Sequence, residues 1–201
     1  MKLYYAPLAC SLADHIALHE AGVDFERERV DLQTKLTETG RRLGDISAKN
    51  YVPVLVLDDG AVLTENIAVL DWIAGTYPVL GLGGPLGRTR LVEALTFIST
   101  EIHRAFKPFW HSGTQAEKAK ATAIINEHML YFATRMDGDY LLGDHPSVAD
   151  FYLFVMLLWA RRFGVAVPEA LAALRERLAA RPAVRLAMAQ EGLLEMEEVG
   201  A

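Results

Sequence analysis

The sequence changes character at residues 79–87, a stretch that holds four glycines and a proline. That density interrupts regular structure, so the stretch reads as a linker. Ahead of it, short β-favouring runs alternate with helical patterns. Behind it, every periodic segment has helical spacing. A chain of 201 residues divided in this way is expected to fold as an α/β domain over residues 1–80 and an all-α domain over residues 87–201.

In the first part, Lys2-Leu3-Tyr4-Tyr5 has the aromatic content of a strand. Leu12, Ala13, Ile16 and Ala17 repeat at helical spacing, and Gly22 stands where that helix would stop. Phe25-Glu26-Arg27-Glu28-Arg29-Val30 alternates and is heavily charged, as suits an edge strand guarded against further pairing. The polar residues 34–50 allow at most a short helix. Val52-Pro53-Val54-Leu55-Val56-Leu57 is a strand, Asp59-Gly60 a hairpin turn, and Ala61-Val62-Leu63 the returning strand. A helix from Ile67 to Tyr77 follows, closed by Pro78. The order β-α-β-α-β-β-α is that of a thioredoxin-like domain.

In the second part, residues 85–110 read as one long helix with Leu91, Leu95, Ile98, Ile102 and Phe106 on one stripe. Residues 114–136 form another. Ser147-Val148-Ala149-Asp150 resembles a capping box opening a helix apolar on every face, which places it in a core. Pro168 and Pro182 each fit the first turn of a further helix.

The net charge of −6 and the lack of a basic stripe argue against nucleic acid as a partner. Apolar runs are too short to span a bilayer. Near the N-terminus, Asp14 and His15 interrupt the apolar run, so it reads as mature protein rather than a signal peptide. A single cysteine, Cys10, rules out an intramolecular disulfide and suits a reducing cytoplasm. The sequence has no GxGxxG, Walker loop, GxSxG or CxxC. Its histidines are scattered, and no metal site is expected. His15 and His19 are an i, i+4 pair with no ligand partner placed by sequence.

Four features can carry chemistry. Cys10 lies between a strand and a helix, where free N–H groups favour an anion and would lower the thiol pKa; a lone cysteine also fits a small buried hydrophobe. Pro53, if cis, would turn the backbone groups of Val52 outward to pair with an extended peptide; it also fits a plain strand start. Glu65 and Asn66 precede a helix, so a carboxylate and a helix N-terminus could together grip the two charges of an amino acid; Thr64 and Asn66 also fit a plain N-cap. Finally, Thr96, Thr100, His103 and Lys107 fall together beside the apolar stripe of the long helix, either lining a cleft or facing solvent.

LACSLADHIALHEAG resembles the first helix of the beta-class bacterial glutathione transferases. YVPVLVLDDGAVLTEN, FISTEIHRAFKPFW and GDHPSVADFYLF resemble three further blocks of that family in the same order. The resemblance covers nearly the whole chain and implies glutathione as co-substrate. It implies Cys10 beside the glutathione sulfur, able to form a mixed disulfide with it. Val52 would pair with the cysteinyl part behind a cis Pro53, Glu65 and Asn66 would hold the γ-glutamyl end, and Lys35 would meet the glycyl carboxylate. Thr96, Thr100, Glu101 and His103 would add contacts from the helical domain, with His103 near the sulfur. The family's members are dimers with an apolar second-substrate pocket between the domains. The expected activity is transfer of the glutathione thiolate to a small electrophile, with thiol–disulfide exchange through Cys10 as a variant; glutathione-dependent isomerisation or dehalogenation is not separable from it by sequence. The alternative is a non-catalytic glutathione- or ligand-binding dimer on the same fold. The chain departs from the family pattern at Asn66 (commonly serine or glycine), at Ser47-Ala48-Lys49-Asn50 (commonly N-P-K-G), at Thr96 (commonly asparagine) and in its short linker.

Overall fold

The computed structural model describes residues 1–194, which divide into two compact units. The first holds residues 1–80 together with residues 180–194; the second holds residues 81–179.

The first unit is built on a four-stranded sheet in the order β2-β1-β3-β4. β1 (Lys2–Tyr5) buries Leu3, Tyr4 and Tyr5 and runs parallel to β2 (Glu26–Arg29), the crossover being α1 (Leu12–Glu20). Gly22, in the left-handed region at φ 68°, ends α1, a conformation that glycine adopts without a Cβ penalty. β3 (Val54–Val56) and β4 (Val62–Thr64) form the expected hairpin across Asp59-Gly60, with Leu57 N donating to Ala61 O at 2.8 Å. β2 is an edge strand. Burial alone would raise its Glu28 carboxyl, but hydrogen bonds from Lys2, Thr37 and Thr39 outweigh that and hold it at about 2. Between β2 and β3 the chain makes only a 3-10 turn, Leu43–Asp45, so the second helix of the expected order shrinks to that turn. Lys35, Gly40 and Asn50 all have positive φ, which an α-helix cannot accommodate.

α8 (Pro182–Gln190) packs on α1 although it follows the helical run in sequence. Arg181 meets Glu20 through two hydrogen bonds of 2.5 and 2.8 Å. Buried His15 meets Glu191 at 2.9 Å, and Gln190 accepts contacts from His15 and His19 at 2.8 and 2.9 Å. These links explain why packing groups residues 180–194 with the first unit.

The second unit contains α3 (Gly87–Phe97), α4 (Lys107–Trp110), α5 (Gln115–Ala133), α6 (Val148–Phe163) and α7 (Glu169–Ala179). Gly87 is required at the start of α3, because a Cβ there would lie 2.1 Å from the Leu82 carbonyl oxygen. The single long helix expected over residues 85–110 is broken. A wide π turn covers Ile98–His103 and a 3-10 turn covers Arg104–Phe106. Thr100 Oγ1 donates back to the Thr96 carbonyl at 3.0 Å, which bends helices, and Pro108 has no N–H to continue the ladder. The stripe Leu91, Leu95, Ile98, Ile102, Phe106 is nevertheless buried throughout. α6 is buried from Val148 to Ala160, and its capping box is formed as expected. No helix among the described residues is long and apolar enough to cross a membrane.

Candidate functional site

The Cys10 turn is shaped by Ser11, whose Oγ accepts from Ala6 N at 3.2 Å and donates to Ala6 O at 3.4 Å. Leu8, at φ 58°, gives its N–H to Glu191 Oε2 at 3.0 Å. This leaves Cys10 half-buried just ahead of α1, with Sγ 4.0 Å from the carbonyl oxygen of Val52. The Val52–Pro53 bond is cis. Two sequence features 42 residues apart thus meet at one sulfur–carbonyl contact.

The expected lowering of the Cys10 thiol does not occur. Burial, and then the Asp14 carboxylate, push it up to about 12, outweighing the hydrogen bonds from the backbone N–H groups of Ser11 and Cys10. The helix start is present, but desolvation is the larger effect.

Glu65 stands immediately before α2 (Asn66–Thr76), held at φ 72°. Its Oε1 meets Lys49 Nζ, and Tyr51 Oη donates to it at 2.5 Å. The Lys49 hydrogen bond, followed by that of Tyr51, lowers the Glu65 pKa, so the group is a carboxylate with a cation already on it. Neither Thr64 nor Asn66 caps α2 with its side chain: Glu65 occupies the cap position, with no side-chain capping bond. The buried Asn66 amide turns to α1 instead. With its nitrogen toward the two acceptors, Nδ2 donates to Cys10 O at 3.0 Å and to Asp14 Oδ2 at 2.7 Å. Asp14 is fully buried, and burial raises its carboxyl well above the usual range. Sequence reasoning missed Asp14 as a site residue. The available signal was an acid one helical turn after Cys10.

The structure therefore brings together Cys10, Val52, Pro53, Glu65 and Asn66 in the first unit. Lys35 is half-buried in the loop after β2, its backbone tied to Asp31 O and Leu43 N at 2.9 Å each. Thr96, Thr100, Glu101 and His103 belong to the second unit. Thr96 and Thr100 are exposed, and Glu101 pairs with His128 at 3.8 Å. The His103 ring packs edge-on to Trp159 with Nδ1 2.7 Å from Tyr152 Oη. Burial lowers His103 to about 4, so it is neutral at pH 7. The π and 3-10 turns change the helix phase, so the straight-helix spacing that grouped Lys107 with Thr96 and His103 does not carry across. Among the described residues, no group of three or more His, Cys, Asp or Glu is placed to hold a metal ion.

Comparisons with known proteins identify the family. Residues 9–76 match the family described as glutathione S-transferase, N-terminal domain, and residues 94–182 match glutathione S-transferase, C-terminal domain. Glutathione S-transferase GstA of Escherichia coli O157:H7 is 38% identical over 200 residues, covering 96% of this chain and 100% of that protein. A sphingomonad glutathione S-transferase complexed with glutathione superposes with a TM-score of 0.89 at 41% identity, covering 96% of this chain and 100% of that one. The beta-class enzyme of Sphingomonas chungbukensis gives 0.87 at 38% identity over the same shares. The chain belongs to the glutathione S-transferase family.

Proposed function

We propose that the first unit binds glutathione around the Cys10–Val52 contact and that the enzyme transfers the bound thiolate to a small electrophile. The observation that carries this reading is Cys10 Sγ at 4.0 Å from Val52 O, with the Glu65 carboxylate presented at the start of α2. Val52, beside Pro53, pairs with the cysteinyl backbone, as one more strand would. Glu65 takes the γ-glutamyl ammonium, the Asn66 backbone N–H helps hold that end, and Lys35 meets the glycyl carboxylate. Because burial keeps Cys10 a thiol, it acts as a hydrogen-bond donor to the glutathione thiolate. The second unit supplies His103 as a further catalytic group, neutral at working pH, and Thr96, Thr100 and Glu101 as binding groups.

The ligand ammonium must displace Lys49 from Glu65, so binding exchanges one cation for another. Glu65→Ala is expected to weaken glutathione binding by about 10- to 100-fold, the worth of a charged hydrogen bond in a partly desolvated site. Isothermal titration of wild type and variant measures this. An unchanged affinity removes the role assigned to Glu65, and a folded wild type that binds no glutathione at millimolar ligand removes the whole reading.

The protein is further proposed to work as a homodimer in a reducing cytoplasm. Support for the dimer comes from apolar surface on the second unit: Leu130 is 54% and Tyr131 41% exposed, beside Phe97. Light scattering at micromolar concentration should give the mass of two chains, and a strictly monomeric mass refutes it.

A further inference from the structure

Tyr152 carries a hydroxyl in a place where packing alone calls for a phenyl ring. From Phe151 to Ala160, α6 is buried throughout, and Tyr152 brings the only hydroxyl of that run. It is 1% exposed. A buried hydroxyl without a partner is costly, and this one meets His103 Nδ1 at 2.7 Å. Trp159 lies two helical turns beyond Tyr152 on the same face of α6. Its ring stands edge-on to the His103 ring at 88°, with centroids 4.9 Å apart, so α6 holds the imidazole by a ring contact and at one nitrogen. The π turn that covers Ile98–His103 ends on this histidine and packs against α6. The other nitrogen, Nε2, has no hydrogen-bond partner among the described residues, and His103 as a whole is only half-buried.

We propose that Tyr152 is a positioning residue: its hydroxyl donates to His103 Nδ1 and so fixes His103 as the Nε2–H tautomer, leaving that N–H as the hydrogen-bond donor His103 brings to the reaction. The proposal rests on the role given to His103 above. The ring is neutral at pH 7, so one nitrogen carries hydrogen and the other a lone pair. The hydrogen bond made by one nitrogen decides which. A phenol is a stronger donor than a neutral imidazole N–H, and an imidazole lone pair is a stronger acceptor than a phenol oxygen. The separation of 2.7 Å fits an O–H donor and is at the short end for an N–H donor, whose usual distance is about 2.9–3.0 Å. The opposite tautomer would offer a lone pair at Nε2, which repels an anionic sulfur. With Nε2–H the same nitrogen stabilises negative charge on the glutathione thiolate, and no proton leaves the ring.

Imidazole nitrogens with and without hydrogen resonate far apart in nitrogen-15 spectra, so the tautomer is read directly in the labelled, glutathione-free protein at pH 7. The chain has six histidines, and the signals absent from His103→Ala are those of His103. Wild type is expected to show Nε2 protonated and Nδ1 bare. Nδ1 protonated and Nε2 bare overturns the proposal, with no variant of Tyr152 needed. Tyr152→Phe keeps the ring and removes the hydroxyl. It is expected to move His103 toward a mixture of the two tautomers. It should also lower kcat for conjugation of a chloronitroaromatic by about tenfold, with KM for glutathione changed less than about twofold. In a His103→Ala background the same substitution should change kcat less than about twofold, because the hydroxyl has nothing left to orient. A purely structural loss slows both backgrounds alike. Wild-type kcat in Tyr152→Phe, or equal slowing in the two backgrounds, overturns the proposal. If the tautomer is the opposite one while His103→Ala is slowed, only the role of Tyr152 falls and the proposed function stands. If His103→Ala conjugates at the wild-type rate, the role of His103 in the proposed function falls, and that of Tyr152 with it.

Discussion

Cys10→Ala is expected to reduce thiol–disulfide exchange to the uncatalysed background while leaving a substantial part of conjugation. The first half follows from composition: no other thiol exists among the side chains, since Cys10 is the only cysteine. In exchange, the Cys10 thiolate attacks one sulfur of a mixed disulfide. The new sulfur–sulfur bond forms as the old one breaks, and the departing sulfur leaves as a thiolate that takes up a proton. Without Cys10 no such intermediate on the protein can form. The second half follows from the state of the thiol. With its pKa raised from 9.0 to about 12, Cys10 is protonated at neutral pH and contributes one hydrogen bond to the glutathione thiolate. Losing a hydrogen bond of about 1 kcal/mol slows conjugation roughly fivefold. The sign of the pH dependence separates the two activities. Exchange through Cys10 rises as pH climbs toward the thiol's raised value. Conjugation follows ionisation of glutathione's own thiol, and a retained Cys10 proton assists it. Steady-state kinetics with a chloronitroaromatic and with a glutathione mixed disulfide decide the matter. Full exchange activity in Cys10→Ala would remove the role assigned to this thiol. His103→Ala gives a control of opposite pattern: conjugation is depressed and exchange is largely spared. Because burial holds His103 at about 4, wild type and His103→Ala should differ in the height but not the shape of their profiles between about pH 5 and 8.

The parts of this molecule that were legible from sequence are those whose signals are local. The β1–α1 unit, the hairpin across Asp59-Gly60, the buried stripe of residues 91–106 and the Ser147–Asp150 capping box each depend on residues within a turn or two of one another. Cys10, Val52, Pro53, Glu65 and Asn66 were singled out by such signals, and the family resemblance joined them. What escaped depends on partners distant in sequence or on burial. The return of α8 to α1 rests on Arg181–Glu20 and His15–Glu191, pairs that no local pattern announces. Asp14 reads as an ordinary polar residue on α1 until Asn66 is seen to reach it. The rise of the Cys10 pKa is a desolvation effect, and a helix-start argument made from sequence contains the dipole but not the burial. The break at residues 98–106 escaped for another reason. Its causes, Thr100 and Pro108, are visible in the sequence, but the uninterrupted apolar stripe favours a continuous helix.

The largest loss of stability from a single substitution outside the site is expected at Asp150. Its carboxylate is fully buried and serves three donors. Oδ1 accepts from Leu141 N at 2.7 Å, and Oδ2 accepts from both Ser147 N and Ser147 Oγ at 2.8 Å. The Ser147 bonds start α6, the helix buried from Val148 to Ala160, and the Leu141 bond ties the preceding loop to that start. Burial raises the Asp150 pKa and the three hydrogen bonds pull it back, so the site keeps its acid only because all three donors converge on it. Asp150→Ala leaves those donors buried and unmet. At about 1–3 kcal/mol for each orphaned group, with partial relaxation, the loss should reach roughly 3–5 kcal/mol. That is a large fraction of the 5–15 kcal/mol or so that holds a typical protein folded. Asp150→Asn should fall between Ala and wild type. Its single amide oxygen can serve the Ser147 pair or Leu141 N but not both, and its NH2 then faces a donor. Ser147→Ala should cost least, about 1 kcal/mol, because it removes a hydroxyl donor and leaves the Leu141 and Ser147 backbone bonds intact. Urea unfolding of the three variants beside wild type tests the order Ala, Asn, Ser147→Ala. If Asp150→Ala unfolded within about 0.5 kcal/mol of wild type, as ordinary surface substitutions do, the convergence of three donors on this carboxylate would not be what anchors α6.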